Sequence, residues 1–250
     1  MTSEVSAYYR AIAPVLVPHL RDRPFTIKRH YTSPRSPFVW EKDAPAEMPS
    51  WIRVCPQPAK SRRGALVRYP LVNSRRALEW VVRYGAVDMH VWLSRCDRPD
   101  RPDQLLLDLD PKDGSFVDVV RAARKVKDVL DAAGLNAIVH TTGGDGMHVR
   151  VPLARVHTFE ETRVFAYAVG NLVNVEGVSI DAKMNGHGQQ VVSVYSARPP
   201  DLHVATPLRW EELADDLDPR AFTPEAVLAR VQRHGDLAAP LRSGRQRLPL

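Results

Sequence analysis

Two aspartates at the end of an apolar run are the residues best placed to do chemistry. The run is QLLLDLDP, Gln104–Pro111, and it carries Asp108 and Asp110 two positions apart. In a strand, successive side chains alternate between faces, so Leu107 and Leu109 can enter a core while both carboxylates share the other face. Two strand positions span about 6.6 Å, a separation at which like charges repel. A divalent cation relieves that repulsion, so the pattern indicates a metal site beside a strand-to-helix turn.

Two other interpretations of this pair remain open. An Asp-x-Asp pair on a strand is also common on a solvated face. The motif further resembles that of the haloacid-dehalogenase phosphatases, in which a small residue and then Thr follow the second Asp. This chain has Pro111 and Lys112 there, so the phosphatase or phosphodiesterase interpretation is the weaker one.

A second motif combines a glycine turn with basic side chains. In Thr141–His148 (TTGGDGMH), the glycines can expose backbone N–H groups that cradle a phosphate. The strand that follows places His148 and Arg150 on one face and its apolar residues on the other. A glycine turn alone is most often only the turn of a hairpin. The presence of His148 and Arg150 on one face of the next strand favours the functional interpretation.

Three further segments carry candidate groups. The segment Asp88–Leu93 alternates, so Asp88, His90 and Trp92 share one face, although a lone strand histidine is usually structural. The segment Val178–Asp181 places a third carboxylate at a strand end. The Pro-rich segment Thr32–Pro49 has an aromatic side chain, Trp40, close to a basic one, Lys42. The aromatic side chain either stacks on a nucleobase or anchors a loop.

These groups need elements to position them, and the hydrophobic periodicity predicts both helices and strands. Helices are predicted over Ser6–Leu20 (irregular after Pro14 and Pro18), Ser74–Tyr84 (N-cap Ser74, closed by Gly85), Phe116–Ala133, Thr158–Val175, Trp210–Leu213 and Thr223–His234. Strands are predicted over Phe25–Arg29, Trp51–Val54, Ala65–Tyr69, Asp88–Leu93, Gln104–Pro111, Asn136–His140, Met147–Val151, Val178–Asp181 and Gln189–Tyr195. Loops are predicted over Thr32–Pro49, Lys60–Arg63 and Ser94–Asp103, and the C-terminal tail is expected to be mobile.

Composition limits the class of protein. The 250 residues, 44% of them hydrophobic, can form one compact unit with two lobes. The formal net charge is +6, and 28 of the 35 basic residues are arginine, which suits bidentate contact with phosphate. Cys55 and Cys96 are isolated and lack metal-ligand spacing, which favours a reducing compartment. Without an apolar run of membrane-spanning length, a soluble cytoplasmic protein is expected.

Taken in order, the motifs resemble the archaeo-eukaryotic primase superfamily, in particular the polymerase domain of bacterial ATP-dependent DNA ligase D, the end-joining enzyme, and its stand-alone relatives. The likeness runs from about Tyr8 to Leu241. It rests on YYRAIAPVLVPHLRDRP, TIKR, WEKDAP, GAVDMHVWLSR, LLLDLDP, TTGGDGMHVRVPL, SID, YSARP and ATPLRWEEL.

The resemblance implies an α/β (α+β) primase-polymerase fold, with a small N-terminal α/β lobe packed on an RRM-like catalytic lobe. On this likeness residues 1–250 form one domain, with N-terminal lobe elements over 1–86, the catalytic lobe over 87–215 and a C-terminal helix and basic tail over 216–250. It also implies addition of nucleotides to a DNA 3′ end, with a separate ligase and a Ku-like protein as further partners.

The resemblance also assigns roles to residues. Asp108, Asp110 and Asp181 would hold two divalent ions, Mn²⁺ or Mg²⁺. The incoming nucleoside triphosphate would be contacted by a second set: His90, Thr142, Gly143, His148 and Arg198. The DNA would be contacted by Lys28, Trp40 and Lys42.

Several positions depart from the family pattern. Asp145 stands where the glycine turn normally carries Lys, and Met184 stands where Arg is frequent. Another Arg is absent from Val173–Ile180, and Met1–Ser3 replaces a segment that supplies Lys residues for a 5′-phosphate. The alternative is therefore a non-catalytic relative that binds DNA ends.

Overall fold

The computed structural model describes residues 3–59 and 64–250, and the predicted basic turn Lys60–Arg63 lies outside them. The α-helices are α1 (Ser3–Leu20), α2 (Arg75–Tyr84), α3 (Phe116–Ala132), α4 (Phe159–Leu172) and α5 (Pro224–His234). The strands are β1 (Phe25–His30), β2 (Phe38–Glu41), β3 (Val54–Pro58), β4 (Leu66–Pro70), β5 (Ala86–Val91), β6 (Ser94–Arg95), β7 (Arg98–Pro102), β8 (Gln104–Pro111), β9 (Ile138–Thr141), β10 (Met147–Pro152), β11 (Val178–Asp181), β12 (Val191–Val192), β13 (Ala197–Arg198), β14 (His203–Val204) and β15 (Pro207–Leu208). The α/β class is confirmed.

The first sheet has the strand order β12-β5-β1-β2 and is antiparallel throughout. Phe25 and Ile27 of β1 and Met89 of β5 are fully buried, and they belong to one hydrophobic cluster with residues of α1 and α2. Because strand side chains alternate, Lys28 and Asp88 project from the other face. The sheet takes strands from both sides of the division predicted at residue 86.

The second sheet has the order β11-β8-β10-β9-β15 and contains the aspartate strand. The strand β8 spans Gln104–Pro111 as predicted. Leu105, Leu107 and Leu109 are fully buried in a cluster with residues of α3 and α4. The opposite face is left for the polar residues, so the apolar half of β8 fixes where its carboxylates lie.

Both ends of α2 follow the predicted signals. The Ser74 hydroxyl accepts a hydrogen bond from the Ala77 amide, and Gly85, at φ 125°, closes α2. The prediction of an irregular second half for α1 is wrong, because the helix runs unbroken through Pro14 and Pro18.

Two predicted loops and two predicted strands are wrong in their limits. The predicted loop Thr32–Pro49 contains β2, and the predicted loop Ser94–Asp103 contains the hairpin β6–β7, whose prolines and charges conceal its pairing. The first strand of the β3–β4 hairpin begins only at Val54, where its ladder with β4 begins. Of the strand predicted over Gln189–Tyr195, only β12 pairs with β5.

The prediction of a mobile C-terminal tail is also wrong. The Gln246 side chain accepts a hydrogen bond from the Asn136 amide at 2.6 Å and donates to the Pro152 carbonyl at 3.1 Å. Leu248 is 5% exposed and belongs to the core cluster of the second sheet. A single apolar residue close to the chain end, together with these hydrogen bonds, holds the segment in place.

The two cysteines are not isolated. Cys55 of β3 and Cys96, in the turn between β6 and β7, form a disulfide with a Cα–Cα distance of 5.8 Å. They are separated by 41 residues, so their proximity depends on tertiary structure that a spacing pattern does not contain. Separately, none of the helices in the described part of the chain is long and apolar enough to cross a membrane.

We predict that the disulfide contributes to stability. For a loop closed by residues 41 apart, loss of the cross-link is expected to lower the free energy of unfolding by about 4 kcal/mol, because the unfolded chain gains entropy. Denaturant unfolding of the Cys96→Ser variant and of reduced wild type should give the same loss, and reductant should leave the variant unchanged. Two free thiols in denatured, unreduced wild type would contradict the pairing.

Candidate active site

Four polar residues form a row across the second sheet. Asp108 of β8 is paired in register with Asp181 of β11 on one side and with His148 of β10 on the other, and His148 is paired with His140 of β9. Directly paired residues of antiparallel strands point to the same face. Asp110 lies one pleat further along β8, opposite Ser179. The structure therefore brings the three predicted carboxylates together on neighbouring strands.

The carboxylates influence one another electrostatically. Burial, then the negative charges of Asp108 and Asp181, raise the pKa of Asp110 to about 6, against a smaller opposing effect of Arg198. Burial acts to raise the pKa of Asp108 too, but the charge and hydrogen bond of His148, together with the charges of Arg150 and Arg198, outweigh it and hold that pKa below its ordinary value. The His148 Nε2 lies 2.9 Å from Asp108 Oδ1. Negative charge is thus in excess at Asp110.

This arrangement fits a hard divalent cation in charge and in ligand type, since carboxylate oxygens are what such ions prefer. In the described part of the chain, however, no three His, Cys, Asp or Glu side chains already converge as a ligand set. Asp108 faces His148, while Asp181 accepts a hydrogen bond from the Lys183 amide at 2.6 Å. Side-chain rotation of these two aspartates would be needed to gather the oxygens around an ion.

The glycine turn between β9 and β10 packs closely against Arg198 on one side and against Asp110 on the other. Gly143, at φ +77°, lies against the Arg198 side chain, and a Cβ on Gly146 would meet the Asp110 carboxylate and the Leu109 carbonyl. The Thr142 hydroxyl accepts hydrogen bonds from the amides of Gly144 and Gly146, each at 3.3 Å. Thr142 therefore shapes the turn from within.

Two arginines join the sheets at the site. Arg198 of β13 donates to the Thr142 carbonyl at 3.3 Å, and its Nε lies 3.7 Å from Asp88 of the first sheet. Arg150 of β10 is buried and donates to the Val192 carbonyl of β12 at 2.5 Å, while its other terminal nitrogen donates to Gln104 at 3.1 Å. Each guanidinium contacts groups of both sheets, so the two faces are held in a fixed relation.

The first sheet contributes a group of basic and aromatic side chains. The Lys28 ammonium lies 3.0 Å from an Asp88 carboxylate oxygen, and His90 Nε2 lies 2.8 Å from the same oxygen. The Trp40 ring is 48% exposed and stands edge-on to the His90 ring at 4.8 Å between centroids. Lys42, immediately after β2, is exposed. The resemblance assigns Lys28, Trp40 and Lys42 to DNA and His90 to the nucleotide, and these roles remain predictions.

Two residues important to this geometry were not predicted as such. The alternation of β5 places Asp88 on the same face as His90, but no sequence pattern indicates what Asp88 does. Asn185 is buried, and its side chain accepts from the Leu106 amide at 2.8 Å and donates to the Leu106 carbonyl at 2.6 Å. It continues the pairing of β8 where β11 ends, and no sequence pattern marks it.

The structure shows what surrounds the two residues that depart from the family pattern, Asp145 and Met184. Asp145 lines a cavity of about 430 Å³ beside Pro111, together with Asp218 and Arg220. Met184 packs against a cluster of buried apolar residues: Leu93, Leu106, Phe159 and Val191. An acid and an apolar residue thus occupy the positions where basic residues were expected.

Comparison with known proteins gives three findings. The family model described as "LigD, primase-polymerase domain" matches residues 2–176 and 173–238. The multifunctional non-homologous end joining protein LigD of Mycolicibacterium smegmatis is 29% identical over 259 residues, covering 96% of this chain and 34% of that protein. The bifunctional non-homologous end joining protein LigD of Bacillus subtilis is 26% identical, covering 91% of this chain and 39% of that protein. The chain thus spans between a third and two fifths of the length of these relatives.

A solved structure is also similar. The polymerase domain from Mycobacterium tuberculosis ligase D, in complex with DNA, matches with a TM-score of 0.86 and 25% sequence identity. The match covers 96% of this chain and 91% of that one. The primase-polymerase fold expected from the sequence is confirmed.

We predict that Asp110 makes stability depend on pH in the metal-free protein. Its folded-state pKa of about 6 lies above the ordinary value of 3.8, so its stabilising contribution is present below pH 4 and is lost as pH rises through 6. Asp110→Asn should therefore melt at the same temperature as wild type at pH 4 and at a higher one at pH 7.5. Thermal unfolding in a chelator measures this, with Asp128→Asn on α3 as control. An equal difference at both pH values would contradict the repulsion.

A second prediction compares two glycines of one turn. Gly146→Ala must displace the Asp110 carboxylate or the Leu109 backbone, whereas an added Cβ at Gly144 meets only the Thr142 hydroxyl at an ordinary 3.6 Å. Overpacking of this kind costs about 1–3 kcal/mol. Gly146→Ala should lower the free energy of unfolding by that amount and Gly144→Ala by much less, as measured by denaturant titration. Equal losses would show that the turn does not press on Asp110.

Proposed function

This chain belongs to the LigD primase-polymerase domain family, and from that premise we propose that it is a metal-dependent nucleotidyltransferase. It would add ribo- or deoxyribonucleotides to a DNA 3′ end during end joining or gap filling. The observation that carries the proposal is the placement of Asp108, Asp110 and Asp181 on neighbouring strands, with excess negative charge at Asp110. That charge excess is what a site for divalent ions requires before the ions bind.

In this proposal the three carboxylates would hold two Mn²⁺ or Mg²⁺ ions. When bound there, such ions would activate the primer hydroxyl and would neutralise charge on the triphosphate and the leaving pyrophosphate. The protein's own groups position the reactants. His148 orients Asp108 through their 2.9 Å contact. Arg198 and His90 would bind the phosphates, and the turn at Thr142 and Gly143 would seat the nucleotide beside the carboxylates.

The DNA would lie along the exposed edge of the first sheet, at β2. Trp40 is exposed on β2 and can stack on a base, while Lys28 and Lys42 can contact phosphates. The net charge of +6 supports a polyanionic partner, and the similar solved domain was determined in complex with DNA. Since its relatives are named end-joining proteins, we extend the proposal to a separate ATP-dependent ligase and a Ku-like protein as partners, in the cytoplasm.

Specific contacts favour a second candidate, a non-catalytic relative that binds DNA ends. Asp145 brings a carboxylate to the turn that would seat the triphosphate, which weakens anion binding unless a cation offsets it. Met184 is packed into an apolar cluster and offers no charge to a phosphate. In this candidate the basic and aromatic face would still bind DNA.

Primer extension tests the leading proposal. With Mn²⁺ and labelled nucleoside triphosphates, wild type should extend a DNA primer. Asp108→Ala combined with Asp110→Ala should reduce the rate at least about 100-fold, because metal-held charge stabilisation amounts to several kcal/mol. Asp128→Asn, on the exposed side of α3, should extend at the wild-type rate.

Other outcomes distinguish the alternatives. If wild type extends neither DNA nor RNA primers, and its gel-shift affinity for DNA ends survives the double substitution, the non-catalytic candidate replaces the polymerase. Release of phosphate from a phosphomonoester that is lost in Asp108→Ala would instead identify a phosphatase.

A further inference from the structure

Asp88 is a fully buried carboxylate in the middle of the first sheet, on the face that meets the second sheet. The apolar neighbours Val87 and Met89 belong to the core on the opposite face. A carboxylate in such a place is costly unless charged or hydrogen-bonded partners surround it. The partners of Asp88 are therefore informative about why it is there.

Three basic side chains from three strands surround Asp88. Lys28 Nζ of β1 lies 3.0 Å from its Oδ2, His90 Nε2 of β5 at 2.8 Å, and Arg198 Nε of β13 at 3.7 Å. These are residues that the sequence predicts to contact nucleotide or DNA. Arg198 also donates to the Thr142 carbonyl, so the group reaches the glycine turn of the second sheet.

Asp88 is a permanent negative charge at neutral pH. Burial acts to raise its pKa, but the hydrogen bond from His90 and the charges of His90, Lys28 and Arg198 together lower the pKa to about 2. One anion thus offsets part of the repulsion among three basic groups that would otherwise move apart or turn to solvent. It keeps them close together before any ligand arrives.

Several polar atoms around Asp88 remain without a hydrogen-bond partner in the described structure. They are Asp88 Oδ1, His90 Nδ1, Arg198 Nε and the hydroxyl of Thr26, which is paired in register with His90. Buried polar atoms are satisfied in the large majority of native sites. Four of the ten such atoms among the described residues lie in this one group, so the contacts within the group do not by themselves satisfy it.

We propose that Asp88 is a positioning residue: it holds His90 and Arg198 in the arrangement that binds the triphosphate, with Lys28, assigned above to DNA phosphate, as its third basic partner. The inference rests on the proposed function and deepens it. Asp88 would not touch the reacting atoms. It would act only through the three basic side chains, by fixing their directions and their mutual distances.

The sign of the effect separates positioning from simple charge. Removing a buried negative charge beneath a polyanion should by Coulomb attraction alone tighten binding. Losing the anchor of three basic groups should weaken binding, because they would have to be ordered by the ligand itself. Weaker binding by Asp88→Asn would therefore identify the positioning role.

The matched control is Asp103→Asn. Asp103 is also a buried carboxylate, 6% exposed, and it is held by Arg23 and Arg95 at 2.7 and 2.8 Å. It precedes β8, at the opposite end of that strand from Asp108 and Asp110. Both substitutions remove a buried anion from arginine contacts, but only Asp88 lies among the proposed triphosphate contacts.

Calorimetric titration of each protein with a non-hydrolysable nucleoside triphosphate in Mn²⁺ tests the proposal. Asp88→Asn should bind about tenfold more weakly than wild type, the scale of one or two lost charge-assisted contacts. Asp103→Asn should bind like wild type, although thermal unfolding should show that both variants are destabilised. Equal or tighter binding by Asp88→Asn overturns the proposal. Absence of binding by wild type removes both this proposal and the proposed function.

If Asp88→Asn does not fold, a charge-balanced pair of variants decides instead. Replacing both members of a buried ion pair is much less destabilising than replacing one. Asp88→Asn combined with Lys28→Met should therefore fold, and it should bind the analogue about tenfold more weakly than Lys28→Met alone, since His90 and Arg198 have lost their anchor. Equal affinity of these two variants would overturn the proposal.

Discussion

The repulsion between carboxylates held at fixed strand positions is the constraint on which the site depends. Asp108 and Asp110 cannot separate, because the leucines between and before them are fully buried under two helices. The register of β11 brings Asp181 to the same place. The fold thus uses the burial of apolar surface, worth about 25 cal/mol per Å², to hold charges together that would move apart in a flexible chain.

The remaining polar structure distributes the opposite charge around that centre. His148 faces Asp108 within the same sheet, and Arg150 and Arg198 connect the second sheet to the first. On the first sheet the sign is reversed, since one buried anion, Asp88, stands among three basic groups. The two faces have opposite electrostatic character, one with excess negative charge and the other basic. Arg150 and Arg198 hold them against each other.

Much of this site was predictable because it is local in sequence. The two-residue period of β8 placed Asp108 and Asp110 on one face, and the same reasoning put His148 and Arg150 together on β10. What could not be predicted depends on contacts between distant segments. The partners of Asp88 come from residues 28 and 198, and the disulfide partners, Cys55 and Cys96, meet only after two hairpins pack. The strand β2 was hidden because the prolines on both sides of it and its exposed aromatics are typical of a loop.

The strand that carries Asp181 has a position in the sheet with its own consequence. β11 has only four residues, all half-buried, and lies at the edge of the second sheet with a partner on one side only. Edge segments of this kind fray more readily than central ones such as β8, and their amides exchange with solvent sooner. Any ligand that engages Asp181 therefore also has to keep this edge closed, so occupancy of the site and local order of β11 are thermodynamically coupled.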